Sequence, residues 1–271
     1  MKISFSTLGC PDYTLHQAVD MAVRCKYDGM ELRFLENDSV LWKRPEFQGA
    51  ALNESKALLR DKGIAIACVD SGCEFDSPDG AKRKAAEEEA LRYVELAAKL
   101  GCPGIRVFGN KVQPGADLAS TKKWISEALW SVAEKARPSN VEVWVETHGD
   151  FTKAADVKQV LSECGCHGIG AVWDPANAVE ANGEDPGQAA AVLGAYIRHV
   201  HFKDLLKRPG SSVWEYVLMG KGNLGVDRVL AALRKQGYSR FVSYEWEKKW
   251  HPEIPGPEIA LPQFAEWFRK Q

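Results

Sequence analysis

The stretch VEVWVETHGDFTKAADVKQVLSECGCHGIGAVWDPANAVEANGEDPGQAAAVLGAYIRHVHF (residues 141–202) holds three short β-like runs separated by two helical segments. Val141–Thr147, Ile169–Trp173 and Ile197–Phe202 are the runs. Segments near Thr152–Glu163 and Asp185–Gly194 are the spacers. A strand followed by a helix of this length and then another strand is the signature of parallel pairing, because parallel neighbours need a long crossover.

The same alternation extends outward in both directions. Upstream, Ile3–Ser6, Gly29–Phe34, Ile64–Val69 and Ile105–Phe108 read as strands. Helical spacing fills the intervals over Asp12–Lys26, about Pro45–Lys62, Gly80–Leu100 and near Ser120–Ala136. Downstream, a loop rich in Gly and Lys leads to a helix at Val226–Lys235, a strand at Phe241–Trp246 and a closing helix at Glu258–Lys270. Eight strand–helix pairs in 271 residues predict one (β/α)₈ (TIM) barrel spanning residues 1–271. A doubly wound open sheet is the alternative. It usually carries a glycine-rich phosphate turn after the first strand, whereas here that strand runs into Gly9-Cys10-Pro11.

Composition narrows the partners. With 45% hydrophobic and 27% charged residues the chain is globular, and it is long enough to bury a core without staples. Its 35 basic and 37 acidic residues balance, so it lacks the concentrated positive field on which nucleic-acid binding rests. No run reaches the roughly 20 apolar residues of a membrane span. The seven cysteines are odd in number and several sit in apolar runs, which fits reduced thiols and a cytoplasmic protein. Cys164-Gly165-Cys166 is too tight for a metal knuckle and reads as a helix end. The apolar stretch before Cys10 is too short for a signal segment and reads as a first strand.

In a barrel, functional side chains gather at the C-terminal ends of the strands. Runs five to eight end in Trp144-Val145-Glu146-Thr147-His148, Trp173-Asp174-Pro175-Ala176-Asn177, His199-Val200-His201-Phe202-Lys203-Asp204 and Ser243-Tyr244-Glu245-Trp246-Glu247. Residues two apart on a strand share a face. A ring of three carboxylates and one imidazole is therefore expected from Glu146, Asp174, His201 and Glu245. Such carboxylates would repel without a cation. The donor set suits one divalent ion, with Mn²⁺ favoured and Mg²⁺, Co²⁺ or Zn²⁺ compatible.

On these residues the chain resembles the sugar phosphate isomerase/epimerase family of xylose-isomerase-like barrels. The resemblance also takes in the opening Ile3-Ser4-Phe5-Ser6-Thr7, Tyr27-Asp28-Gly29-Met30-Glu31-Leu32-Arg33, Gly220-Lys221-Gly222 and Gly237-Tyr238. It implies metal ligation by Glu146, Asp174, His201 and Glu245. It further implies proton transfer by Glu146 and Glu245 through a metal-stabilised enediolate of a small sugar or polyol. His148, Asn177, Lys203, Lys207 and Arg208 are the substrate-binding candidates, and Glu31 is a candidate for substrate contact or ligand support. Two positions depart from the 3-epimerases: Asn177 stands where they carry histidine, and Lys207 where they carry arginine. Trp42, Trp214, Trp246 and Trp250 are expected in or beside the mouth loops. Gly220-Lys221-Gly222 reads as a turn, with a phosphate cradle as the lesser alternative.

Three other readings compete with this one. An inosose-dehydratase-like lyase begins with the same proton abstraction. A non-catalytic sugar-binding barrel would hold no metal. An endonuclease IV-like nuclease needs more histidines than the six present. An exposed apolar helix face would let the chain form a homo-oligomer.

Overall fold

The computed structural model describes residues 1–271. In chain order its elements are β1 (Lys2–Ser6), α1 (Leu15–Arg24), β2 (Gly29–Leu32), α2 (Gly49–Lys62), β3 (Ala65–Glu74), α3 (Gly80–Leu100) and β4 (Gly104–Phe108). Next come α4 (Leu118–Ala136), β5 (Glu142–Glu146), α5 (Ala154–Cys164), β6 (Ile169–Trp173), α6 (Pro175–Asn182), α7 (Pro186–Leu193) and β7 (Ile197–Phe202). The chain ends with β8 (Asp204–Lys207), β9 (Trp214–Val217), α8 (Val226–Lys235), β10 (Phe241–Tyr244) and α9 (Pro257–Phe268). Eight strands close into a barrel in the order β1-β10-β7-β6-β5-β4-β3-β2, and β8 pairs with β9 as a separate hairpin. The (β/α)₈ architecture expected from the alternation is the one observed.

Local chemistry explains the elements. Thr14 caps α1 reciprocally with Gln17, satisfying two of the amide groups that a helix start leaves open. Val226, Val229, Leu230 and Leu233 form the buried stripe of α8. Each such side chain contributes about 1.5–3 kcal/mol on burial. Gly165, in the left-handed conformation, ends α5 directly after Cys164, so the Cys-Gly-Cys segment is a helix end as expected. All seven cysteines are free. No helix is long and apolar enough to cross a membrane.

β3 runs on to Glu74, past the expected end at Val69, and two elements were not expected from the sequence at all. The Gly- and Lys-rich loop after β7 contains the β8–β9 hairpin, with Leu205 opposite Tyr216 and Lys207 opposite Trp214. Asp174-Pro175 also starts α6, with the Asp174 carboxylate as cap and proline at the first helical position.

Contacts are densest within two groups of residues, Met1–Ala67 with His201–Gln271, and Cys68–Val200. In the first group, Tyr244 stacks on Phe264 at 4.5 Å and Phe5 meets Tyr27 edge-on at 4.9 Å. In the second, Trp144 packs with Cys68 and Val172. Gly104 makes room for that indole, since a Cβ there would lie 2.4 Å from it.

Candidate metal centre

Glu146 is the last residue of β5, and Asp174, His201 and Glu245 stand at or just beyond the ends of β6, β7 and β10. Each offers a ligand atom within 4.8 Å of the others, and all four are buried. They match the four positions singled out in the sequence.

Within Cys68–Val200, Arg106 controls Glu146. Its Nη1 donates to Glu146 Oε2 at 2.5 Å, and its Nη2 lies 3.6 Å from Asp70 Oδ2. Arg106 is 3% exposed and its guanidinium lies 4.0 Å from the Phe108 ring centre. Asp174 is fixed from both sides. Its amide donates to Thr147 Oγ1 at 2.7 Å, and its Oδ1 accepts from the amides of Ala176 and Asn177. The Asn177 side chain turns to Thr147 O at 3.1 Å and braces this corner.

Within the other group, His201 lies between two carboxylates. Its Nδ1 is 3.1 Å from Glu245 Oε1 and its Nε2 is 3.2 Å from Glu31 Oε2. Lys203, 2% exposed, donates to Glu245 Oε2 at 2.7 Å and to Glu247 Oε1 at 2.6 Å. Tyr216 of β9 packs on His251, ring centres 4.3 Å apart. Burial pushes the Glu245 carboxyl up, but the charges of His201 and Lys203 outweigh it. The group is held well below the usual carboxylate range.

The residues present fit a divalent cation. Glu31, Asp70, Glu146, Asp174 and Glu245 are buried carboxylates; of the buried cations, Arg106 pairs with Asp70 and Glu146, and Lys203 pairs with Glu245. Negative charge is in excess, and a divalent ion held by oxygen donors and one imidazole would offset it.

The remaining candidates fall in different places. His148 bonds Asn110 Oδ1 through Nδ1 at 3.1 Å and packs on Phe108, while Asn110 donates to Glu74. Lys207 lies at the end of β8, 5.3 Å from the Trp214 ring centre. Arg208 is exposed and doubly paired with Glu215. Trp246 is fully buried, stacked on Tyr244, and donates to Pro255 O. Trp250 is 54% exposed against Phe34. Gly220-Lys221-Gly222 is a turn whose amides are already taken: Gly220 N and Gly222 N both donate to Asp204 Oδ2, at 2.9 and 2.8 Å. The protein's own carboxylate fills the place a phosphate would need.

Arg106 escaped the sequence reading. A charged residue inside Gly104-Ile105-Arg106-Val107-Phe108 was the available signal. A strand buried on both faces rarely carries arginine unless the arginine is paired.

The profile of xylose isomerase-like TIM barrels matches residues 19–271. The chain belongs to this family. No curated protein matches it by sequence. Among solved structures, this xylose isomerase-like barrel is similar to the probable 3-DHS dehydratase AsbF of Bacillus anthracis, with 18% identity, 99% of each chain covered and a TM-score of 0.81. It is similar to the 3-keto-D-glucoside 4-epimerase YcjR of E. coli, with 18% identity over the whole of both chains and a TM-score of 0.80. It is also similar to the IOLI protein with a bound zinc atom, with 17% identity, 98% of this chain and 95% of that one covered, and a TM-score of 0.82.

Proposed function

We propose that this barrel is a divalent-metal-dependent isomerase or epimerase of a small sugar or polyol, working by proton transfer next to a carbonyl. The observation that carries the reading is the buried group Glu146, Asp174, His201 and Glu245, in which two glutamates each bond a buried cation. These four residues would hold the ion, with Mn²⁺ favoured. When bound, it supplies Lewis acidity to a carbonyl oxygen and a neighbouring hydroxyl. The solved sugar epimerase with the same fold supports the substrate class.

The chain's own part is to hold and move the proton. Arg106 keeps Glu146 ionised and fixed in direction, because a guanidinium does not give up its proton. Lys203 does the same for Glu245. One glutamate takes the proton from the carbon next to the carbonyl. If the other returns a proton to the opposite face of that carbon, the product is an epimer; if a proton goes to the former carbonyl carbon while the hydroxyl proton of the deprotonated carbon passes to the former carbonyl oxygen, the product is an isomer. Positioned general acid–base groups of this kind are worth about 10²–10⁴-fold each.

The test is proton exchange in D₂O. The Mn²⁺-loaded protein is incubated with ketopentoses, ketohexoses and inososes and followed by ¹H NMR. Loss of one C–H signal with appearance of a stereoisomer or constitutional isomer supports the proposal. Loss of water to an unsaturated product assigns a lyase instead. Exchange in none of the substrates by fully loaded protein contradicts both.

A further inference from the structure

Glu31 is wholly buried at the end of β2, outside the four-residue group. In the barrel order β1 and β10 stand between β2 and β7. Ser4 of β1 and Ser243 of β10 are register partners, and Ser243 shares the inward face with Glu245. The register partner of Glu31 on β1 is the small Ser6, and Glu31 reaches His201, 170 residues away in sequence.

The two imidazole nitrogens have different partners. Nδ1 faces Glu245, a member of the four-residue group, at 3.1 Å. Nε2 faces Glu31 at 3.2 Å. A histidine that binds a cation through one nitrogen carries its proton on the other, and the acceptor of that N–H sets both tautomer and ring orientation. We propose that Glu31 is a positioning residue for the metal site: it accepts the His201 Nε2–H and leaves the Nδ1 lone pair for the ion. This rests on the metal-binding reading above and adds a residue to it.

Glu31 has a competing use. With His199 and His201 it forms a second group whose ligand atoms lie within 4.8 Å of one another. His199 stacks on Trp144 with ring centres 6.0 Å apart. A cation held there would take Nε2 of His201, and the ring would then have to bridge two ions as an imidazolate. Glu31 as a hydrogen-bond acceptor asks for no such species.

The experiment is Mn²⁺ titration calorimetry on the full chain, as wild type, Glu31→Gln and Glu31→Ala, together with ¹⁵N–¹H NMR of the histidine rings in the Zn²⁺-loaded proteins. The expected result is one ion per chain throughout. Affinity should fall about 10–100-fold in Glu31→Ala and less in Glu31→Gln, whose amide oxygen still accepts. His201 should show a protonated Nε2 in every loaded protein, with its N–H proton resonance moved upfield in Glu31→Ala, where the carboxylate acceptor is gone. Glu31→Gln is close to isosteric, so it serves if the alanine variant does not fold. Equal affinities in wild type and both variants overturn the proposal, as do two ions in wild type falling to one in Glu31→Ala. Wild type that takes up no ion refutes the metal site itself, a result distinct from either.

Discussion

Replacing Arg106 with methionine removes one cation from between two buried carboxylates. Glu146 loses a 2.5 Å bond and Asp70 a 3.6 Å ion pair, and both side chains keep almost no contact with solvent. Breaking a buried pair by deleting one partner costs about 3–5 kcal/mol, because the charge left behind is uncompensated. Unfolding entropy near 60 °C is about 2.1 cal/mol/K per residue, or about 0.57 kcal/mol/K for this chain, so the loss converts to a Tm drop of about 5–9 °C. Differential scanning calorimetry in EDTA measures it. Added Mn²⁺ should narrow the gap, since an ion on Glu146 takes over part of the neutralisation. A drop of less than about 2 °C in EDTA would refute the view that Arg106 compensates these carboxylates.

Three further outcomes follow from particular contacts. Glu146→Gln and Glu245→Gln should each slow substrate proton exchange by about 10²–10⁴-fold at saturating metal, measured by ¹H NMR in D₂O. Gly222→Ala should destabilise by about 1–3 kcal/mol in urea unfolding, because its Cβ would sit 2.3 Å from Asp204 Oδ1 and Leu205 O, and the turn would have to shift. The third concerns acid. Glu245 is held below the usual range in the folded metal-free protein, so its contribution is complete above the ordinary glutamate value of about 4.3. It is lost as pH falls through the folded value, and Glu245→Gln should show a flatter decline of stability below about pH 4.3 in EDTA.

Elements governed by local pattern were legible from sequence. Ile169–Trp173, Ile197–Phe202, Gly80–Leu100 and Val226–Lys235 have the bounds that their periodicity predicts. That Glu146, Asp174, His201 and Glu245 come together was legible for the same reason: alternation within a strand sets the face, and the barrel sets the level. The hairpin at Asp204–Val217 was not, because each of its strands is only four residues long and its base is held by remote amides, those of Gly220 and Gly222 on Asp204. Helix Pro175–Asn182 carries a start signal in Asp174-Pro175 but is too short for a clear apolar stripe. Glu31 and Arg106 act through partners 170 and 40 residues away, a pairing that no local pattern encodes.

In the proposed function Glu146, Asp174, His201 and Glu245 together hold one catalytic ion. Elemental mass spectrometry of the purified protein, wild type beside Glu245→Gln and after Mn²⁺ loading and desalting, tests it most directly. About one divalent ion per wild-type chain is expected, consistent with a single four-donor site, and clearly less in the variant. No metal in wild type after loading, or the same content in both proteins, would contradict it.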